Sequence, residues 1–292
     1  MIRLDGKAVA LSRQERLRGD IAAFSKRLGR PPGLAVILVG ADPASRIYVA
    51  NKEKTCVALG MKSIRADLPA ETAEAALLAK IYALNEDPEV DAILVQLPLP
   101  KGISEQRALD AIAPSKDPDG LTIENLGRLF AGRARVAPCT PWGVMAILAH
   151  YRIPVAGKRA VVVGRSNIVG KPMAQLLLDA NATVTICHSK TEDLEARTRE
   201  ADLVVVAAGK ARFLGRSAFK LGATVIDVGM HRPASGPFAG KVCGDVRFEE
   251  LDGWVSAATP VPGGVGPMTI QMLMENALAL AELSAGAAAA AK

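Results

Sequence analysis

Apolar residues along this chain follow two alternating rhythms. Short runs rich in valine and isoleucine, GLAVILVG from Gly33 and DAILVQLP from Asp91, alternate with longer amphipathic stretches, one through Tyr48 to Leu59 and a more polar one from Glu71 to Asn85. Strands covered on both faces read as continuous apolar runs, so this alternation predicts βα units on a buried parallel sheet. A second series follows, with strands expected at RAVVVGR from Arg159, ATVTICH from Ala182, DLVVVAAG from Asp202 and ATVIDVG from Ala223. The expected fold class is α/β with two domains. A helix starting near Thr140 joins the series, because threonine can cap a helix and Pro141 suits its first position. The domain boundary is placed within that helix, near Ile147, giving 1–146 to the first domain and 147–266 to the second. A last helix follows Pro267. The closing SAGAAAAAK is low in complexity and reads as a frayed helix end or a disordered tail.

Composition narrows the class. At 292 residues, half of them apolar, the chain has material for a sizeable core. No apolar run reaches the roughly 18 to 20 residues of a membrane helix, and MIRLDGKAVALSRQERLRGD turns charged too early for a signal peptide. A soluble cytoplasmic protein is expected, with no membrane partner. The net charge of +6 comes from 36 basic residues interleaved with 30 acidic ones, without a long basic block. That pattern is an ordinary solvated surface, not a nucleic-acid footprint, though a mild positive field favours small polyanions. Cys56, Cys139, Cys187 and Cys243 lack paired spacing and read as small core residues, and His150, His188 and His231 lack metal-ligand spacing. Neither a disulfide framework nor a metal is expected.

Several segments carry chemistry. GRSNIVG from Gly164 follows a valine-rich strand and precedes a helix expected over Lys171 to Asn181. This is the setting of a dinucleotide turn, in which backbone N–H groups and a helix N-terminus face a pyrophosphate. Its spacing departs from GxGxxG, since Arg165 and Ser166 hold the early positions and the next glycine is Gly170. A plain βα turn is therefore the alternative. The next strand ends in CHSKT without the acid that holds NAD ribose hydroxyls. With Arg165, Ser189 and Lys190 available for a 2′-phosphate, NADP is the favoured cofactor.

Tyr48 and Lys52, four residues apart, share one helical face. They either pack their stems at the surface or supply a general base, which a lysine becomes when desolvation or a nearby positive charge lowers its pKa. Gln96 ends a strand, where ligands of parallel sheets gather, and its amide can donate to one group while accepting from another; bonding to loop backbone is the alternative. Asp119 in KDPDG has the look of a turn acid before glycine, with Pro118 stiffening the loop. Asp227 and Asp245 read as acids that bond backbone. VPGGVGPMTIQM, Val261 to Met272, sets three glycines and two prolines in a turn before a helix. Such a turn lets backbone, here at Pro262 and Gly263, approach a ligand closely.

Taken in order, YVANK, VQLPLP, KDPDG, PCTPWG, GRSNIVGKP and VPGGVGPMTIQM resemble the bifunctional methylenetetrahydrofolate dehydrogenase/cyclohydrolase family, from about Asp5 to about Asn276. The resemblance implies a folate-binding catalytic domain and a Rossmann-like NADP-binding domain. The C-terminal helix 267–286 would pack back on the first domain, leaving a cleft, and the chain would form a homodimer. The implied activity oxidises 5,10-methylenetetrahydrofolate with NADP and hydrolyses the methenyl product to 10-formyltetrahydrofolate, on substrates that include polyglutamylated ones. Lys52 would move the proton, Tyr48 and Gln96 would orient it, and Asp119 would bond the pterin. The substrate would also meet Pro262 and Gly263. Gly164, Arg165, Ser166, Ser189 and Met230 would lie at the cofactor. A short-chain dehydrogenase also uses YxxxK, but places its glycine-rich turn before that pair, whereas Tyr48 precedes Gly164. A dehydrogenase without hydrolase activity would not need Lys52. A non-enzymatic folate- or nucleotide-binding module is the remaining rival.

Overall fold

The computed structural model describes residues 1–290, the side chains of Ala44 and residues 288–290 aside. Its contacts form two compact units: Met1–Ser12 with Thr140–Met272, and Arg13–Cys139 with the residues from Leu273 on.

The unit built on Arg13–Cys139 holds a parallel three-stranded sheet, β2 (Gly33–Val39), β3 (Lys62–Leu68) and β4 (Ala92–Val95), in the order β3-β2-β4. β2 is buried at every residue because it is central, and Ile37, Ile93, Leu77 and Ile81 pack in one core cluster. β3 escapes the apolar-run pattern because it is an edge strand whose Lys62, Arg65 and Asp67 are exposed. Helix α2 (Pro43–Ala58) opens with Asp42 as its cap, the Oδ2 accepting from the Ser45 N–H at 2.7 Å, and with proline at its first position. α3 (Glu74–Glu86) starts three residues after the expected Glu71. α4 (Glu105–Asp110) and α5 (Ile123–Phe130) follow.

The other unit carries a parallel sheet of six strands in the order β1-β9-β8-β7-β5-β6. These are β1 (Ile2–Arg3), β5 (Arg159–Val163), β6 (Thr183–Cys187), β7 (Leu203–Val206), β8 (Thr224–Asp227) and β9 (Ala257–Ala258). The chain runs from β5 to β6 on one side, then returns to β7 on the other. That reversal makes the carboxyl ends of β5 and β7 a topological switch point, where ligands of open α/β sheets bind. β6 departs from the expected buried strand: as an edge strand it exposes Thr183, Thr185 and Ile186.

Three further helices are α1 (Gly6–Leu28), α6 (Cys139–His150) and α9 (Val265–Ala290). The apolar pattern does not announce α1, in which charged residues are interspersed among the apolar ones. α6 begins one residue before Thr140, so Thr140 lies in its first turn and does not cap it. The Thr140 hydroxyl instead lies 3.0 Å from that of Thr269. α7 (Gly170–Asp179) follows the glycine-rich turn, and α8 (Leu194–Arg199) precedes β7. The run SAGAAAAAK is helical to Ala290; Ala291 and Lys292 lie outside the described residues. Among the described residues no helix is long and apolar enough to cross a membrane.

Candidate active site

In the six-stranded unit, the turn after β5 is shaped by two glycines. Gly164 has φ +141, and a Cβ there would lie 2.3 Å from the Ala207 carbonyl oxygen on the loop after β7. A Cβ on Gly170 would lie 2.3 Å from the Gly164 carbonyl oxygen. Only glycine lets these backbones approach so closely at the switch point, which is what a backbone cradle for phosphate requires. Ser166 helps build the turn, its hydroxyl accepting from the N–H groups of Val169 at 3.2 Å and Gly170 at 3.3 Å at the start of α7.

Arg165 is exposed. The Gly164 N–H donates to the Cys187 carbonyl at 2.8 Å, so the ends of β5 and β6 adjoin, and with them Arg165, Ser166, Ser189 and Lys190. CHSKT closes as a tight turn, with the His188 N–H on the Thr191 hydroxyl at 2.9 Å and the Lys190 N–H on His188 Nδ1 at 3.2 Å. Ser189 and Lys190 are exposed there, and no carboxylate belongs to that turn. Met230 is exposed just beyond β8.

Two buried acids fasten this end of the sheet. Asp227 accepts from the N–H groups of Gly229 at 2.9 Å, Asp245 at 3.0 Å and Val246 at 2.8 Å. Burial, against those hydrogen bonds, pushes its carboxyl up to about 6. Asp245 accepts from the N–H groups of Ala208 at 2.6 Å and of Gly209 and Lys210 at 3.0 Å, and lies 2.6 Å from His231 Nε2. Both are the backbone-bonding acids that their positions suggest.

Pro262 and Gly263 belong to the same unit. The Gly263 carbonyl accepts from the Lys7 N–H at 3.1 Å, which ties the turn to the start of α1.

In the other unit, Lys52 is 9% exposed and donates from Nζ to Gln96 Oε1 at 3.0 Å. Gln96 is aimed by its own bonds, its N–H on the Ile37 carbonyl at 2.9 Å and its Nε2 on the Leu97 carbonyl at 2.6 Å. Burial lowers the Lys52 pKa from the usual lysine value, while the charge of Asp119 opposes that fall. Tyr48 stands one turn earlier on α2, half-buried, and burial raises its phenol pKa. Asp119 sits in a loop pinned from both sides. Asp117 Oδ2 accepts from the Thr122 N–H at 2.8 Å and from Asn125 Nδ2 at 2.9 Å, and Gly120 turns the chain at φ +64.

Cys139 is a member of this group that its sequence context hides. Its thiol donates to the Pro118 carbonyl at 3.3 Å, and burial first, then the Asp119 charge, hold its pKa well above the usual thiol range. Its place in PCTPWG is the available signal, since every other segment of that ordered set contributes to one of these two groups. Lys52, Gln96, Asp119 and Cys139 are thus brought together, while Pro262 and Gly263 lie in the other compact unit. No cluster of three or more His, Cys, Asp or Glu side chains fit to hold a metal occurs among the described residues.

A switch-point phosphate cradle in one unit and a desolvated lysine in the other define the class: a nucleotide-dependent α/β enzyme that also transfers protons. Comparison narrows it. The sequence model for the catalytic domain of tetrahydrofolate dehydrogenase/cyclohydrolase matches residues 4–119, and that for its NAD(P)-binding domain matches 138–285. A bifunctional protein FolD of Bdellovibrio bacteriovorus is 60% identical over 279 residues, covering 96% of both chains. The crystal structure of the bifunctional enzyme FolD from Campylobacter jejuni aligns with a TM-score of 0.93 at 48% identity, covering 97% of this chain and 99% of that one. That of the Trypanosoma brucei enzyme, complexed with NADP cofactor and inhibitor, aligns at 0.92 and 39% identity, covering 98% of both. The chain belongs to the tetrahydrofolate dehydrogenase/cyclohydrolase family.

Proposed function

We infer that this protein oxidises 5,10-methylenetetrahydrofolate to the methenyl form with NADP and hydrolyses that product to 10-formyltetrahydrofolate. The observation that carries the reading is Lys52, buried, desolvated and held on Gln96 with Asp119 close by. Hydride transfer alone needs no such group.

A dinucleotide fits the residues present, because Gly164 and Gly170 let the turn after β5 pack closely on itself and on the loop after β7, and α7 begins there. The α7 N-terminus suits the pyrophosphate, and Arg165, Ser189 and Lys190 suit a 2′-phosphate. NADP, when bound, accepts the hydride. The C–H bond of the bridging carbon breaks, and the lone pairs of the flanking nitrogens stabilise the cation left behind. The protein's task in this step is positioning.

Hydrolysis needs a proton acceptor. Neutral Lys52 takes a proton from the water that attacks the methenyl carbon, Gln96 and Tyr48 orient the amine, and Asp119 anchors the pterin. The C–N bond to one ring nitrogen then breaks as that nitrogen takes up a proton and the adduct's hydroxyl loses its own, leaving the formyl group on the other. A lowered Lys52 pKa makes the neutral amine available at lower pH than a free lysine allows, and the cationic methenyl bridge lowers it further.

Family resemblance supports a cytoplasmic homodimer, and the net charge of +6 suits polyglutamylated substrates. The test is a spectrophotometric assay with methylenetetrahydrofolate and NADP that follows NADPH and methenyl absorbance separately. NADPH formation with enzyme-accelerated loss of methenyl absorbance is expected. NADPH formation without that acceleration would leave a monofunctional dehydrogenase, and folate binding without turnover a binding module.

A further inference from the structure

We propose that Asn276 of α9 is a positioning residue that sets the direction of Asp119 in the active site. The proposal rests on the function inferred above. Asn276 is 5% exposed, a lone amide in the apolar run MLMENALAL. Its Nδ2 donates to the Pro118 carbonyl at 2.8 Å and to the Ala137 carbonyl at 2.9 Å, and lies 3.6 Å from the Cys139 sulfur. The Cys139 thiol donates to the same Pro118 carbonyl at 3.3 Å.

That carbonyl belongs to the peptide unit whose N–H is that of Asp119. Because a peptide unit is planar, two donors on the Pro118 oxygen fix the plane from which Asp119 departs. The Ala137 bond fixes the neighbouring strand of chain, against which Gly120 packs: a Cβ on Gly120 would lie 3.2 Å from the Ala137 carbonyl carbon and the Pro138 nitrogen. Asp117, with its bonds to Thr122 and Asn125, holds the other side of Asp119. The Asp119 carboxylate takes no backbone N–H among the described residues, so its aim depends on the loop around it.

The charged and titratable groups acting on Lys52 here are Asp119 and Cys139, the first opposing the fall that burial causes. If Asp119 swings away, the ammonium loses its counter-charge and the Lys52 pKa falls further. The rising limb of the hydrolysis rate against pH then moves to lower pH. A role limited to holding α9 would not move that limb.

The test is Asn276→Ala in the full-length protein, assayed for both activities across pH. KM for the folate is expected to rise about tenfold, the scale of one buried hydrogen bond, with KM for NADP within about twofold of the parent. The rising limb of hydrolysis should shift to lower pH. Asn276→Ser, which keeps one donor, should fall between parent and alanine variant and carries the test if alanine prevents folding. An unmoved folate KM and pH limb, or equal losses toward folate and NADP, overturns the proposal. A parent protein lacking both activities would instead overturn the functional reading.

Discussion

Each unit holds a pair of aspartates at the ends of its strands or in the adjoining loops, and the pairs are used differently. Asp227 and Asp245 are both buried, and each accepts three backbone N–H groups. Asp117 is likewise buried and spent on its own loop, but Asp119, two residues on, is only partly buried and faces Lys52. An acid whose lone pairs are taken by backbone holds a loop in shape, and an acid left over is available for a ligand. The same contrast separates Lys52 from Lys116. Burial lowers both, yet Lys116 donates to the carbonyls of Leu84 and Asp87 at 3.2 and 2.8 Å, whereas Lys52 is held by one amide oxygen.

Substitutions on the two sides should part company. Lys52→Met keeps the stem and removes the amine. Hydrolysis of the methenyl form should drop by roughly 10² to 10⁴, the range for a lost acid-base group, while NADPH is still produced and methenyl absorbance accumulates. Parallel loss of both activities together with folate binding would make Lys52 a positioning residue.

On the structural side, Asp245→Ala strips the acceptor from three N–H groups and from His231. A loss of about 3 to 5 kcal/mol in urea unfolding is expected, as for a broken buried charge network, with both activities falling together. Asp119→Asn should do the reverse. Stability should stay within about 1 kcal/mol while KM for the folate rises about 10- to 100-fold, the scale of hydrogen bonds to a charged group. A large stability loss there would erase the distinction between the two pairs.

Arg165 is the exposed counterpart in the other unit, beside a serine already spent on its turn. Arg165→Ala should lower kcat/KM with NADP about tenfold more than with NAD, and equal losses would count against a 2′-phosphate contact. A different kind of effect concerns Asp227. Its folded pKa of about 6 lies above the ordinary carboxyl value, so its contribution to stability is present below about pH 4 and is lost as pH rises through about 6. A carboxyl-carbon NMR titration with a midpoint near the ordinary value would refute that.

What the sequence makes legible follows the same physics. β2, β4, β5, β7 and β8 stand out because burial on both faces leaves uninterrupted apolar runs. β3 does not, since Lys62, Arg65 and Asp67 face solvent on an edge strand, and β1 and β9 are two residues each, too short for any period. Lys52 and Gln96 are legible from residue type and position. The four aspartates are not separable by sequence, because each sits within two residues of a glycine or proline and only the folded backbone decides which carboxylates are spent. Cys139 resembles any core cysteine. Asn276 leaves only one trace, an amide among the apolar residues of α9.

The pairing of Ile2 with Ala257 and of Arg3 with Ala258 has a consequence for biosynthesis. β1 belongs to a sheet whose neighbouring strand is made some 250 residues later. The unit built on Arg13–Cys139 waits in the same way, because its last helical segment begins at Leu273. Neither unit is contiguous in the chain, and each closes only once β9 or the segment from Leu273 has been made. Contacts so distant in sequence are slow to form, because loop-closure entropy must be met first. A cut between Cys139 and Thr140 would therefore yield two fragments, one without its outer strand and the other without its closing helix.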